Sequence, residues 1–331
     1  MKKFVNDPAQ FVPEFMKGIA QANPDLLDYT PEFQMITRKG GPSNSKVSIV
    51  QGSGSGHEPA HVMAVGPGML TGACQGAVFA APPVDACYET IKACASDAGV
   101  LVLVNNYQGD RMAWDMATEM ATAEDINVKQ FWINDDVAVE DSLYTVGRRG
   151  VAGNFFVIKA CGAAADQGKN LDEVYAIADK VNKNVRTMGV ALTSCIPPAK
   201  GTPIFDLGDD EIEVGVGIHG EPGRRREKIH SADKITEELF EAVAKDIPFN
   251  SGDRIALMVN GLGGTPITEL YVIYAKAHEL AEQAGFTVVR NYVGEYCTSL
   301  EMAGASLTIL RLDAELEALL DAPAETAARI F

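Results

Sequence analysis

Short β-rich runs alternate along the first half of the chain with stretches whose apolar residues recur at helical spacing. Val47-Ser48-Ile49-Val50, Val100-Leu101-Val102-Leu103-Val104 and Lys129-Gln130-Phe131-Trp132-Ile133 predict strands. The run at 100–104 is apolar at every position, the pattern of a strand covered on both faces in a parallel sheet. Leu171, Val174, Ile177, Ala178 and Val181 recur at helical spacing, and the strand-like Gly189-Val190-Ala191-Leu192 follows. The second half alternates again. It predicts a strand over 213–217, a helix from Ser231 or Ala232 to Val243, a strand over 254–259, a helix over 265–285 and a strand over 287–291. Thr265-Pro266 opens the longer of these helices, with proline in its first turn. The expected architecture is α/β in two domains, residues 1–185 and 186–331, the first built on a layered, largely parallel sheet flanked by helices.

Composition agrees with this picture and narrows the partners. A chain of 331 residues with 47% hydrophobic content has enough apolar material for two cores. Its formal net charge of -17 opposes nucleic acid and anionic membranes. The one short basic run, Arg224-Arg225-Arg226, reads as a solvated or subunit-contact face. No apolar run approaches the roughly 20 residues that span a bilayer. Met1-Lys2-Lys3 has the charge of a signal peptide, but Asn6, Asp7 and Pro8 interrupt the apolar region that should follow, so a cytoplasmic protein is expected. Cys74, Cys87, Cys94, Cys161, Cys195 and Cys297 contain no C-x-x-C spacing and read as reduced, packed thiols.

Candidate chemistry concentrates in two turns. Gly52-Ser53-Gly54-Ser55-Gly56-His57-Glu58-Pro59-Ala60-His61 and Gly217-Ile218-His219-Gly220-Glu221-Pro222-Gly223 each place a histidine on a glycine-dominated bend after a hydrophobic run. The first cluster is not a P-loop, because it ends in Gly56-His57-Glu58 without the phosphate-reaching lysine. Nor does it fit a dinucleotide fingerprint, which needs a small residue where His57 stands. His57-Glu58-Pro59-Ala60-His61 matches H-E-x-x-H in letters, but that zinc site needs both histidines on an established helix, and here a loop precedes His57 and Pro59 lies inside. His61 reads as a helix-start residue or as one that supports a site residue from behind.

Asp110 closes the polar loop Asn105-Asn106-Tyr107-Gln108-Gly109-Asp110. It is either a turn cap or a carboxylate near His57 able to take a hydroxyl proton. His219, flanked by Gly217, Gly220 and Gly223, is either a hydrogen-bonded turn histidine or an accessible imidazole. In the second case it is suited to hold a metal, polarise a carbonyl or add to one.

Taken with Gly261-Leu262-Gly263-Gly264-Thr265-Pro266 and the segment from Gly294 to Gly304, these motifs resemble the dihydroxyacetone kinase family, specifically its substrate-binding K subunit, over essentially the whole chain. The resemblance implies two α/β domains with the active site at the interdomain cleft, a homodimer, and a short-chain ketose held as a covalent hemiaminal on a histidine. His219 matches that histidine, His57 the residue that exchanges protons with substrate, and Asp110 the acid that accepts the proton of the hydroxyl being phosphorylated. Gly54, Ser55 and Gly56 match the backbone loop around the substrate.

Two positions depart from the family pattern. Asn105 stands where a lysine is common, and Ala81, in Phe79-Ala80-Ala81-Pro82, where a hydroxyl residue is common. A four-carbon or branched ketose, such as erythrulose or apulose, is therefore expected beside dihydroxyacetone. The chain itself is expected to hold no metal or nucleotide. ADP or ATP with Mg is expected on a separate L-type subunit, because the appended helical nucleotide-binding domain of single-chain members has no counterpart here. The alternative is a ketose sensor acting on a transcription regulator.

Overall fold

The computed structural model describes residues 2–139, 147–247 and 249–328. The chain forms two compact units, each discontinuous in sequence. The first comprises Lys2–Ile133, Asn154–Val181 and the segment from Ala318 onward; the second comprises Asn134–Gly153 and Asn182–Glu317. The expected single boundary near 185 lies beside one crossing, at Val181 and Asn182. The crossings at 133–134, 153–154 and 317–318 leave no mark in local patterning.

The first unit holds α1 (Phe11–Ala22), β1 (Leu27–Thr30), β2 (Met35–Arg38), β3 (Ser48–Ser55), β4 (Gly72–Val78), α2 (Val84–Ala93), β5 (Val100–Asn105), α3 (Gln108–Ala123), β6 (Val128–Ile133), α4 (Asn154–Asp166) and most of α5 (Leu171–Asn184). Its six-stranded sheet runs β1-β2-β4-β3-β5-β6, parallel from β4 to β6, with β1 and β2 added antiparallel at one edge. Every residue of β5 is buried, as its uninterrupted apolar run requires. Val50, Val102, Ile91 and Trp114 share the core on one face of this sheet. In α5 the buried positions are Leu171, Val174, Ile177, Ala178 and Val181, the periodic set expected from sequence.

α4 carries no such period, because it is buried from Asn154 through Ala165. Gly162 lets it lie directly on the backbone of Gly68 and Met69, where a Cβ would stand 2.5 Å from Gly68 O. Lys159, wholly buried on this helix, donates to the Leu319 carbonyl at 2.7 Å and ties the C-terminal segment to the first unit.

The second unit holds β7 (Val185–Ala191), β8 (Glu211–Val214), β9 (Arg225–Lys228), α6 (Ala232–Asp246), β10 (Arg254–Gly261), α7 (Ile267–Gln283), β11 (Thr287–Glu295) and β12 (Gly304–Leu312), and α8 (Ala314–Asp321) carries the chain out of it. Its sheet runs β11-β10-β12-β7-β8-β9 and is antiparallel except for the β10–β11 pair. Ser231 caps α6 through a bond from the Lys234 amide, and Pro266 occupies the cap of α7, just outside the first turn where it was expected. Leu257, Val259, Leu307 and Leu239 lie in its core. The basic run lies exposed on β9 and its neighbour, where Arg226 pairs with Glu213, and Arg225 with Glu227 and Glu238. Among the described residues, no helix is long and apolar enough to cross a membrane.

Candidate functional site

Parallel strands β4, β3 and β5 end side by side, so the segments that leave their carboxyl ends gather at one edge of the first sheet, the usual ligand edge of such folds. The glycine cluster is not all loop. β3 runs through Gly52, Ser53, Gly54 and Ser55, and the bend begins at Gly56, whose φ is 98°. The glycines inside the strand serve close packing: a Cβ on Gly54 would stand 2.7 Å from Ala80 N, and one on Gly52 would stand 2.5 Å from Cys74 O. The segment after β4 is thereby drawn over β3. Phe79 stacks on the His57 ring at a centroid distance of 5.2 Å, and His57 is buried.

Asp110 also departs from expectation: it lies in the first turn of α3, not in a loop. There the helix dipole favours its negative charge. Its Oδ2 accepts from Ser53 Oγ at 3.1 Å, which joins the β3 and β5 segments as expected. A Cβ on Gly109 would stand 3.3 Å from Ala81 Cβ, so Ala81 covers the start of the same helix. Asn105, the last residue of β5, is 1% exposed, and neither polar atom of its amide has a hydrogen-bond partner; Ser55 Oγ is likewise buried and unpartnered. Buried polar groups left in this state are costly, and polar ligand groups would satisfy them.

His61 begins a short 3-10 turn over Val62–Ala64, and its Nδ1 lies 2.7 Å from Gln51 Oε1. No group of three or more His, Cys, Asp or Glu able to hold a metal occurs among the described residues. The H-E-x-x-H letters are instead a folded turn. The Glu58 carboxylate accepts the Gly56 amide at 3.0 Å and Gln75 Nε2 at 2.8 Å. Burial raises Glu58 from 4.5 to about 7, with these donors opposing the rise.

A carboxyl group whose pKa is raised on folding favours the folded state below its unfolded value and loses that advantage as pH climbs through the folded one. Wild-type stability should therefore fall between about pH 4.5 and 7 relative to Glu58→Gln, by about 1 to 3 kcal/mol. Calorimetric unfolding of both proteins from pH 5 to 8 checks this. Parallel curves would rule it out.

The second histidine turn belongs to the second unit, between β8 and β9. His219 is less open than its glycine neighbours suggested, with 17% of its side chain exposed. Glu221 folds back over the turn: Oε2 accepts the His219 amide at 3.0 Å and Oε1 lies 2.9 Å from Nδ1. Gly217 makes this possible, since a Cβ there would stand 2.0 Å from Glu221 Oε2 and 2.5 Å from Arg149 Nη1. Gly220 takes a φ of 75°, and a Cβ on Gly223 would collide with Val214 O at 2.1 Å.

Burial disfavours the Glu221 carboxylate, but the hydrogen bond and charge of His219, with the charge of Arg149, outweigh it and bring the group to about 2. An ionised carboxylate only accepts, so Nδ1 carries a hydrogen, and in the neutral form of the ring the lone pair is then on Nε2. That is the state in which an imidazole adds to a carbonyl carbon.

Sequence reasoning missed Glu221, Arg149, Asp136 and Glu58. Glu221 and Glu58 carried a readable signal, because each follows a histidine within its glycine turn and precedes a proline. Arg149 and Asp136 carried none. The six cysteines are buried and outside any disulfide, as expected of reduced, packed thiols.

A family model described as the Dak1 domain matches residues 17–328. The chain is 47% identical over 315 residues, 95% of each protein, to the dihydroxyacetone-binding subunit DhaK of PTS-dependent dihydroxyacetone kinase 1 from Listeria innocua. It is 45% identical over 312 residues, 94% of each protein, to the dihydroxyacetone-binding subunit DhaK of the PTS-dependent dihydroxyacetone kinase from Lactococcus lactis. A solved structure of the dihydroxyacetone kinase operon co-activator Dha-DhaQ matches with a TM-score of 0.91 at 34% identity, covering 98% of this chain and 99% of that one.

Proposed function

The chain belongs to the Dak1 family, and on that premise we propose that it is the ketose-binding subunit of a two-component kinase. His219 takes up a short-chain ketose as a covalent hemiaminal, and the terminal hydroxyl is phosphorylated by a nucleotide carried on a separate L-type subunit. The observation that carries this reading is the Glu221 carboxylate 2.9 Å from His219 Nδ1, which in the neutral ring leaves the lone pair on Nε2 for use as a nucleophile. The Nε2 pair forms the bond to the carbonyl carbon, and the carbonyl π pair moves onto oxygen. That oxygen takes a proton from His57, and the Nδ1 hydrogen stays on the bond to Glu221. Polyols such as glycerol have no carbonyl and are refused at this step.

Asp110 then takes the proton of the hydroxyl that attacks the phosphoryl group, whose bond to the donor nucleotide breaks as the new one forms, so that the nucleoside diphosphate is the leaving group; nucleotide with Mg would be held on the partner. Gly54, Ser55 and Gly56 surround the substrate, and the buried amide of Asn105 and hydroxyl of Ser55 serve its oxygens. Six cysteines outside any disulfide suit a reducing compartment, and we place the protein in the cytoplasm as a homodimer.

Asn105 and Ala81 bear on the choice of ketose. A short amide and a methyl group leave room and polar capacity for an extra carbon and hydroxyl. With an L-type partner present, kcat/KM should be several-fold higher for a four- or five-carbon ketose such as erythrulose than for dihydroxyacetone, and Asn105→Lys with Ala81→Ser should reverse the order. The purified chain with ATP and Mg, without partner, should phosphorylate none of them. Robust activity of the chain alone would refute the two-component reading, and a tenfold preference for dihydroxyacetone over every larger ketose would refute the argument from Asn105.

The likeness to a co-activator favours a second reading, a ketose sensor without turnover. Adduct formation is common to both. Phosphoryl transfer with the partner separates them.

A further inference from the structure

Arg149 lies beside the His219 turn and is 8% exposed. Its Nε donates to Asp136 Oδ2 at 2.7 Å, and its Nη2 lies 2.6 Å from the same oxygen and donates to the Gly215 carbonyl at 2.9 Å. Asp136 is itself buried, and its carboxylate also accepts the Ala138 amide at 2.8 Å. These bonds fix the plane of the guanidinium and leave Nη1 beside the Glu221 carboxylate. Nη1 and Glu221 Oε2 stand 2.5 and 2.0 Å from one point, the site of a Cβ on Gly217, so they are at most 4.5 Å apart.

We infer that Arg149, clamped by Asp136 and the Gly215 carbonyl, is a positioning residue for the His219 imidazole: it keeps Glu221 ionised against Nδ1 and thereby leaves the lone pair on Nε2. The inference rests on the reading of His219 as the adduct residue only in what it says Nε2 is for. A carboxyl group in this setting, without a cation, gains by taking a proton. Protonated, Glu221 becomes a hydrogen-bond donor, and Nδ1 accepts from it. The ring hydrogen then sits on Nε2, and the nitrogen that must attack the carbonyl has no lone pair to offer. Arginine suits this task better than lysine because a planar fork held by Asp136 on one side keeps its remaining nitrogen fixed beside Glu221. The low pKa of Glu221, to which Arg149 contributes, agrees with the arrangement.

The test reads the tautomer directly, in ketose-free protein at a pH where the ring is neutral, by nitrogen-15 NMR of the histidine side chains. His219 is assigned among the five histidines by comparison with His219→Ala. Wild type should show one tautomer, with hydrogen on Nδ1 and none on Nε2. Arg149→Met should give a mixture or the opposite tautomer, and its ketose kcat/KM with the L-type partner should fall roughly ten- to a hundredfold. Arg149→Lys should recover part of both.

Because Arg149→Met leaves Asp136 buried without its cation and risks unfolding, Asp136→Asn with Arg149→Met is made alongside it and carries the same expectation. An unchanged His219 tautomer in any folded variant lacking the Arg149 charge overturns the inference. Failure of His219 to form an adduct in wild type would instead sink the functional reading and leave the tautomer result intact.

Discussion

His219→Ala should abolish the mass increase that a short ketose produces on the wild-type chain, and should lower kcat/KM with the L-type partner by roughly a thousandfold or more. The covalent bond turns a weak encounter with a small, flexible sugar into a fixed placement, and effective molarities of fixed reactants account for losses of this size. The substitution leaves the turn itself in place. Its backbone is held by the Glu221 bond to the residue-219 amide and by Gly217 N–H to Glu221 O, at 3.0 and 3.1 Å, and neither uses the imidazole. Native intact-mass measurement with and without ketose checks the adduct, and unfolding midpoints check the fold. An adduct that persists in the folded variant removes His219 from the mechanism.

Asp110→Asn should divide the reaction differently, retaining the adduct and losing about 10²- to 10⁴-fold in turnover, the range for removal of a positioned base. Asparagine keeps the shape and an oxygen to accept from Ser53 Oγ, now bonded at 3.1 Å, so the start of α3 should stay as it is. Rapid-quench single turnover with the partner saturated reads the phosphoryl step, and intact mass reads the adduct. Turnover within about fivefold of wild type would show that the hydroxyl proton leaves by another route. Loss of both adduct and turnover would make Asp110 a structural group at the edge of the sheet.

Much of this protein was legible where local pattern and burial coincide. α5 was readable because one face of it is buried, so the apolar residues fall at the helical period. β5 was readable because both its faces are buried, which only an unbroken apolar run satisfies. The two histidine turns stood out because glycine accumulates where side chains cannot fit, and they proved to need it at Gly54 and Gly217.

α4, by contrast, left no period, since a helix covered on all sides has no polar face to mark its turns. The glycine run of β3 looked like loop because in-strand glycines that admit a neighbouring backbone are spelled the same way as glycines that bend a chain. Asp110 looked like a loop residue for a related reason, as nothing caps α3 through a side chain and no signal marks its start.

What the sequence by itself determined was the α/β class, the paired glycine-histidine turns and, through their likeness to a known family, the candidate residues His57, Asp110 and His219. Only the tertiary structure decided the discontinuous units and the order β11-β10-β12-β7-β8-β9. It alone decided, too, that Asp136 and Arg149 stand behind Glu221. The physical reason is one of range. Periodicity and turn chemistry are imposed on neighbours in the chain by the face they bury, whereas a guanidinium brought to a carboxylate some seventy residues away is chosen by the packing of strands between them and leaves no trace in the residues on either side.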